Sequence, residues 1–344
     1  AYTTINKSTD HFNTKLYTGN ASTQAITGVG FQPDWLWIKN RSTTNAHNIF
    51  DAVRGTNKKL DSAETTAENA SATNLTSFDS DGFTLASNAG TNGSGNNIAS
   101  WNWKAGGGQG SSNTDGSINT TYTSANTTAG FSISTYTGTG SNATFGHGLG
   151  AAPEMVIVKC LNDAQNWFIY HQGIGATKVI YLDLNNAQQT LSQGWNNTAP
   201  TSSVVSIGTE AGVNQNGNLY VAYCFKEKTG YSKFGSYTGN GSSSSPAFIY
   251  TGFKPKFVIV KCTNEADEWF MHDDKRDGYN DDNEYLFASV TNVEGTNTNR
   301  IRLLSNGFSV PTTDKSHNKS GNSYIYMAFG QSIVGTNNIP ATAR

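Results

Sequence analysis

The sequence predicts an all-β chain built from three repeated antiparallel β-sandwich modules, jelly-roll-like or lectin-like. Three observations lead there. First, a glycine-led stretch with a proline and a short apolar run ending in lysine occurs three times: Gly30–Lys39, Gly150–Lys159 and Gly252–Lys261. Second, the landmarks around it recur in the same order at nearly the same spacing. Third, the intervening segments are rich in Gly, Asn, Thr and Ser and poor in helical periodicity.

The composition bounds the reading. Charged residues make up 14% of the 344-residue chain, against about 25% in an average globular protein, so the polar surface is largely uncharged. The 15 Tyr, 17 Phe and 7 Trp recur at fixed offsets, which a disordered chain has no reason to keep. The net charge of -2 and the lack of a long Lys/Arg run argue against a nucleic-acid partner. No apolar stretch approaches the roughly 20 residues a membrane helix needs, so no membrane insertion is expected. Residues 1–5 carry no secretory apolar region. Three cysteines do not make a disulfide framework, and buried free thiols are expected.

Each repeat opens with a strand ending in Tyr-Thr-Gly: Tyr17–Gly19, Tyr136–Gly138 and Tyr237–Gly239. The proline, at 33, 153 or 255, forces its predecessor into extended geometry. The apolar run behind it is too short for a helix and rich in β-branched and aromatic types, so it reads as a buried strand. Lysine follows six residues after the proline (Lys39, Lys159, Lys261). An aromatic or histidine comes at fourteen (His47, Trp167, Trp269) and a titratable group at eighteen (Asp51, His171, Asp273). Two strands joined by a polar turn fit this spacing. A later turn and strand runs through Asp81–Leu85 and Asn306–Val310, with Val204–Ile207 a looser match. A final aromatic strand closes each repeat near Trp101, Tyr223 and Tyr326. Copies of this length and order indicate internal triplication. A three-bladed propeller is the alternative, but propellers usually have four or more blades.

The expected organisation is module 1 at 1–104, a Gly/Ser/Thr/Asn-rich linker or arm at 105–129, module 2 at 130–228, module 3 at 229–330 and a tail at 331–344. The long first joint and short second one predict that modules 2 and 3 are held more rigidly together.

The candidate polar sites follow from the repeats. Lys39 with Asp51 and Lys261 with Asp273 read as partly buried ion pairs across adjacent strands. Arg54 and Arg276, three residues past those aspartates, belong to the same set. Repeat two has His171 and Ile174 instead. A catalytic lysine is the sharper alternative, but a catalytic group rarely needs three copies. Asp273, Asp274, Asp277, Asp281 and Asp282 form an acidic cluster whose oxygens suit a hard cation such as Ca²⁺; a solvated loop is the plainer reading, and no other cofactor is expected. Trp195, Tyr279 and Tyr285 are candidate aromatic contacts to a glycan. No H-E-x-x-H, G-x-S-x-G or phosphate-loop motif occurs, so no catalytic residue is assigned.

One resemblance covers nearly the whole chain. Phe12–Asn20, Gln32–Arg41, Phe50–Gly55, Ser77–Phe83, Gly230–Gly241 and Ile339–Arg344 resemble tail-fibre-like virion structural proteins of marine bacteriophages. The resemblance implies a non-enzymatic tail fibre or surface appendage, located in the virion and extracellular. Its expected partners are copies of itself (a trimer), other virion proteins and a host-surface glycan. A carbohydrate-binding adhesin or surface-layer protein, and a polysaccharide-degrading virion enzyme, are the alternatives.

Overall fold

The structure, a computed structural model, describes residues 3–276, 280 and 283–332. It is nearly all β, arranged in several antiparallel sheets. The proline-led stretches form strands Trp35–Asn40, Met155–Cys160 and Phe253–Cys262. Each pairs on one side with a short strand, Asn48–Asp51, Phe168–His171 or Phe270–Asp273. On its other side lies the final aromatic strand, Asn97–Trp103, Leu219–Phe225 or Ser323–Ser332. The opening strands Phe12–Thr18, Phe131–Thr137 and Ser232–Thr238 pair outside those. The result is three inner sheets with the same strand order.

The alternation of side chains explains why four consecutive apolar residues are needed. Trp35, Trp37, Met155, Ile157, Phe257 and Ile259 point into one core, which draws residues from all three repeats. The residues between them point the other way, each pair into a core of its own repeat: Leu36 and Ile38, Val156 and Val158, Val258 and Val260. A strand buried on both faces reads as a continuous apolar run. Smaller outer sheets cover these private cores, through Gln24–Thr27, Leu75–Asp79 and Gly82–Leu85, through Ala143–Gly146 and Val204–Ile207, and through Ala247–Tyr250, Arg302–Leu304 and Gly307–Val310.

The shared core changes the expected relation between repeats. Repeat 1 contributes Phe12, Trp35, Trp101 and Trp103 to it alongside Phe225 and Phe329, so the longer first joint does not set repeat 1 apart. Nor does that joint hang free. The Asp34 carboxylate accepts from the backbone N–H groups of Ala105, Gly107 and Gly108 at 2.8–3.0 Å. Farther on, Tyr122–Asn126 pairs with Phe131–Thr137 as a seventh strand of the second inner sheet. Glu154, at the position of Asp34, likewise takes the N–H of Glu227 at the second joint.

The Tyr-Thr-Gly signature has a packing role. Each tyrosine hydroxyl donates at 2.7 Å to a backbone carbonyl before the final strand: Thr91, Val213 or His317. Each glycine passes so close to that segment that a Cβ would stand 2.2–2.3 Å from the carbonyl oxygen of Gly93, Gln215 or Lys319. The three cysteines are free and buried.

Candidate functional site: three cyclic seams

The recurring polar residues meet where one repeat packs on the next. Lys159 Nζ donates to Thr65 O of repeat 1 at 2.9 Å, and Lys261 Nζ to Asn185 O of repeat 2 at 3.1 Å. Lys39 Nζ closes the circle onto Thr291 O of repeat 3 at 3.1 Å. The aromatic position behaves alike. Trp167 Nε1 donates to Asp61 O at 2.8 Å and Trp269 Nε1 to Tyr181 O at 2.7 Å. His47 takes Trp37 Nε1 on its Nδ1 and lies beside the backbone of Phe287 and Val290. A backbone bond completes each seam: Glu68 N to Leu161 O, Gln188 N to Thr263 O and Glu294 N to Arg41 O.

The predicted lysine–aspartate pairs are therefore corrected. Trp35 pairs with Asp51, and Phe257 with Asp273, across the strands. Lys39 and Lys261 sit four residues farther along, at the turn end, while the aspartates sit at the open end. There each aspartate pairs with the arginine three residues on. Arg54 Nε meets Asp51 Oδ2, and Arg276 Nε meets Asp273 Oδ2, both at 2.5 Å and both buried. Glu68 and Glu294 contact the far sides of the two guanidinium groups. Burial opposes ionisation of Asp273, but Arg276 and Trp101 hold its carboxyl below the usual range.

Each lysine ends among backbone carbonyls. Burial lowers Lys39, Lys159 and Lys261 to about 8. An amine poised there is a nucleophile when exposed. Here all three are fully buried and donate to two to four carbonyls each, so they act as fasteners.

At position eighteen the next repeat's final strand supplies the partner. Tyr223 Oη donates to Asp51 Oδ2 at 2.7 Å, and Trp101 Nε1 to Asp273 Oδ2 at 3.0 Å. The residue at the corresponding register of the repeat-3 final strand is Met327, opposite Ile259 as Tyr223 is opposite Ile157; it has no donor, and His171 Nε2 instead meets the Tyr326 carbonyl at 3.2 Å.

The other expected sites are placed as follows. Asp273 is consumed by its ion pair, which removes it from the proposed cation cluster. Asp274 lies beside Lys256, and Asp277, Asp281 and Asp282 lie outside the described residues. Among the described residues no group of three or more His, Cys, Asp or Glu is placed to hold a metal ion. Trp195 is 1% exposed, not a surface contact: the short helix Ser192–Trp195 folds it into the core of repeat 2, edge-on to Tyr170. Tyr285 is half-buried against Phe270 and Phe287 beneath Arg300, and Tyr279 lies outside the described residues. No helix of the described residues is long and apolar enough to cross a membrane.

One polar set went unread in the sequence. Asn92, Asn214 and Asn318 are fully buried. Each Nδ2 donates to two or more backbone carbonyls, and each Oδ1 takes the N–H of the residue just after the signature glycine: Asn20, Thr139 or Asn240. Their signal was available. Each lies eleven residues before the aromatic that ends the final apolar run, Trp103, Phe225 or Phe329.

No curated protein and no solved structure matches the chain. A single family model spans all three repeats and their seams, matching residues 7–332, and the chain belongs to that family, described as a domain of unknown function (DUF7483).

Proposed function

We propose that this protein is a non-enzymatic structural subunit of a virion, a tail fibre or surface appendage that self-assembles and contacts the host surface. In this reading each inner sheet and its outer sheet form one sandwich module, jelly-roll-like or lectin-like, and the protein works outside the cell. The observation that carries it is the cyclic set of seams. The lysine, the aromatic or histidine and the titratable group that recur at fixed offsets after each proline all meet the neighbouring repeat, with each lysine bonded to a carbonyl of its neighbour. Such a body resists opening and presents its loops as a fixed outer surface, which suits an assembly component.

The proposed partners are further copies of the chain, as a trimer, and other virion proteins. The test is the native mass of the purified protein by light scattering, with and without a calcium chelator. A trimer or polymer is expected, and dissociation on chelation would place Ca²⁺ at an interface. A monomer unaffected by chelator would remove self-assembly from the proposal. The carbohydrate-binding adhesin reading draws on Phe248 and Tyr250, 49% and 60% exposed on the edge strand of the third outer sheet. Exposed aromatics of this kind stack on sugar rings.

A further inference from the structure

The seam between repeats 1 and 2 differs from the other two. The seventh strand, Tyr122–Asn126, extends the second inner sheet beyond its opening strand, and among the described residues the other inner sheets have no counterpart. It turns this seam into a groove of about 180 Å³. That is below the roughly 300–1,000 Å³ of sites for drug-sized ligands, so the groove has room for one small ring.

Its lining has two characters. Tyr122, Leu161 and Leu219 form apolar walls; the first two pack against the shared core with part of their surface open, and Leu219 is 47% exposed. Lys58, Gln109 and Thr135 bring polar groups. The Lys58 side chain is half exposed. Gln109 is fixed by its bond to Val53 O at 3.2 Å. Thr135 Oγ1 is buried with no hydrogen-bond partner. No carboxylate lines the groove among the described residues; the nearby Glu68 is engaged by Arg54 and Lys58.

We infer that this groove binds a single pyranose ring of a saccharide. A pyranose has a flat C–H face for Tyr122 and the two leucines. It also has a rim of hydroxyls for Lys58 and Gln109. A purely apolar ring would leave those two polar groups without a ligand partner, and a cation would meet lysine and no acid. The inference deepens the host-contact half of the proposed function and does not depend on self-assembly.

The test titrates the full chain with D-glucose, D-galactose, N-acetyl-D-glucosamine and D-glucuronate, each to about 50 mM, followed by amide chemical shifts. Saturable shifts with at least one sugar are expected. Affinity should fall roughly tenfold or more in Tyr122→Ala and in Leu219→Ser. Leu219 is exposed enough for the second variant to keep its fold, which its melting temperature checks. Val293→Ser, at an exposed apolar residue outside the groove, should leave the affinity unchanged. Absence of binding by all four sugars overturns the site, as does binding that survives both groove substitutions or is lost in Val293→Ser. Light scattering on the same samples reports assembly separately, so either idea can fail alone.

Discussion

Repeat 2 and its two neighbours solve the same contact with different chemistry. In repeats 1 and 3 the buried group at the open end of the paired strands is an aspartate, held by its own arginine and by a donor from the next repeat. In repeat 2 it is His171, with Ile174 where the arginine would stand, and its partner is a backbone carbonyl. The difference traces to the facing strand. Tyr223 and Trp101 bring N–H or O–H groups that a carboxylate accepts, whereas Met327 brings none. A carboxylate facing Met327 would be buried with one partner fewer, which is costly. A neutral histidine needs only an acceptor, and the backbone provides it. The departure of repeat 2 is thus a matched change on both sides of a seam.

The largest expected effect tests the charged seams against the neutral one. Asp273→Ala leaves Arg276 buried without its main partner and should cost about 3–5 kcal/mol. His171→Ala removes two neutral bonds, one with the Tyr326 carbonyl and one from the Gly173 N–H, and should cost about 1–3 kcal/mol. Urea denaturation of the two variants compares them directly, and equal losses would mean that the aspartate–arginine pair has no special weight. Next come the facing residues. Tyr223→Phe and Trp101→Phe each take a donor from a buried carboxylate and should cost about 1–3 kcal/mol. Met327→Leu should stay under about 1.5 kcal/mol. A Met327→Leu loss as large as that of Tyr223→Phe would contradict the matched-partner account.

Two pH effects are smaller and have opposite directions. The three seam lysines sit at about 8 when folded, below the 10.5 of an unfolded chain. Between those values the unfolded state holds more protons, so their contribution to stability rises with pH. Burial also raises the Cys224 thiol well above its ordinary 9.0, which works the other way above pH 9. The lysine effect is therefore read between pH 7.5 and 9 as a rising urea midpoint, and Lys159→Met should flatten the slope. On the acid side, burial lowers His47 and His272 to about 3 and His171 to about 4, with His317 lowered as well. Each costs stability as pH falls below 6.5, because the unfolded chain takes up the proton first. Asp61 and Asp183, raised by burial to about 6, oppose this until their unfolded forms protonate near 3.8. Stability should fall gently to about pH 4 and steeply below it. A midpoint that stays flat from pH 4 to 3 would show that these histidines protonate inside the fold.

Much of the fold was open to reading in the residues themselves. Proline, a four-residue apolar run and lysine at constant spacing locate the central strand of each inner sheet, because strand pairing and burial on both faces constrain residues close in sequence. The aspartate–arginine ion pair is also within reach, since its members are three residues apart, but the repeated lysine at constant spacing points to the wrong partner. Spacing alone does not say which end of a paired strand a residue occupies, and the register put Lys39 and Asp51 at opposite ends. Trp195 was misplaced for a related reason: its sequence neighbours are polar, and only folding of a short helix onto the sheet buries it.

The order of residues along the chain therefore settled the strand content and the positions of the recurring polar groups. Folding settled what those groups do. Trp101 and Asp273 are 172 positions apart, and His171 and Tyr326 are 155 apart. Nothing local links them. Their pairing exists because the apolar faces of three sheets can leave water together only by sharing one core, and that core brings the end of one repeat against the side of another. The groove beside Tyr122 has the same origin: it forms where an added strand in one repeat overhangs the seam with the repeat before it.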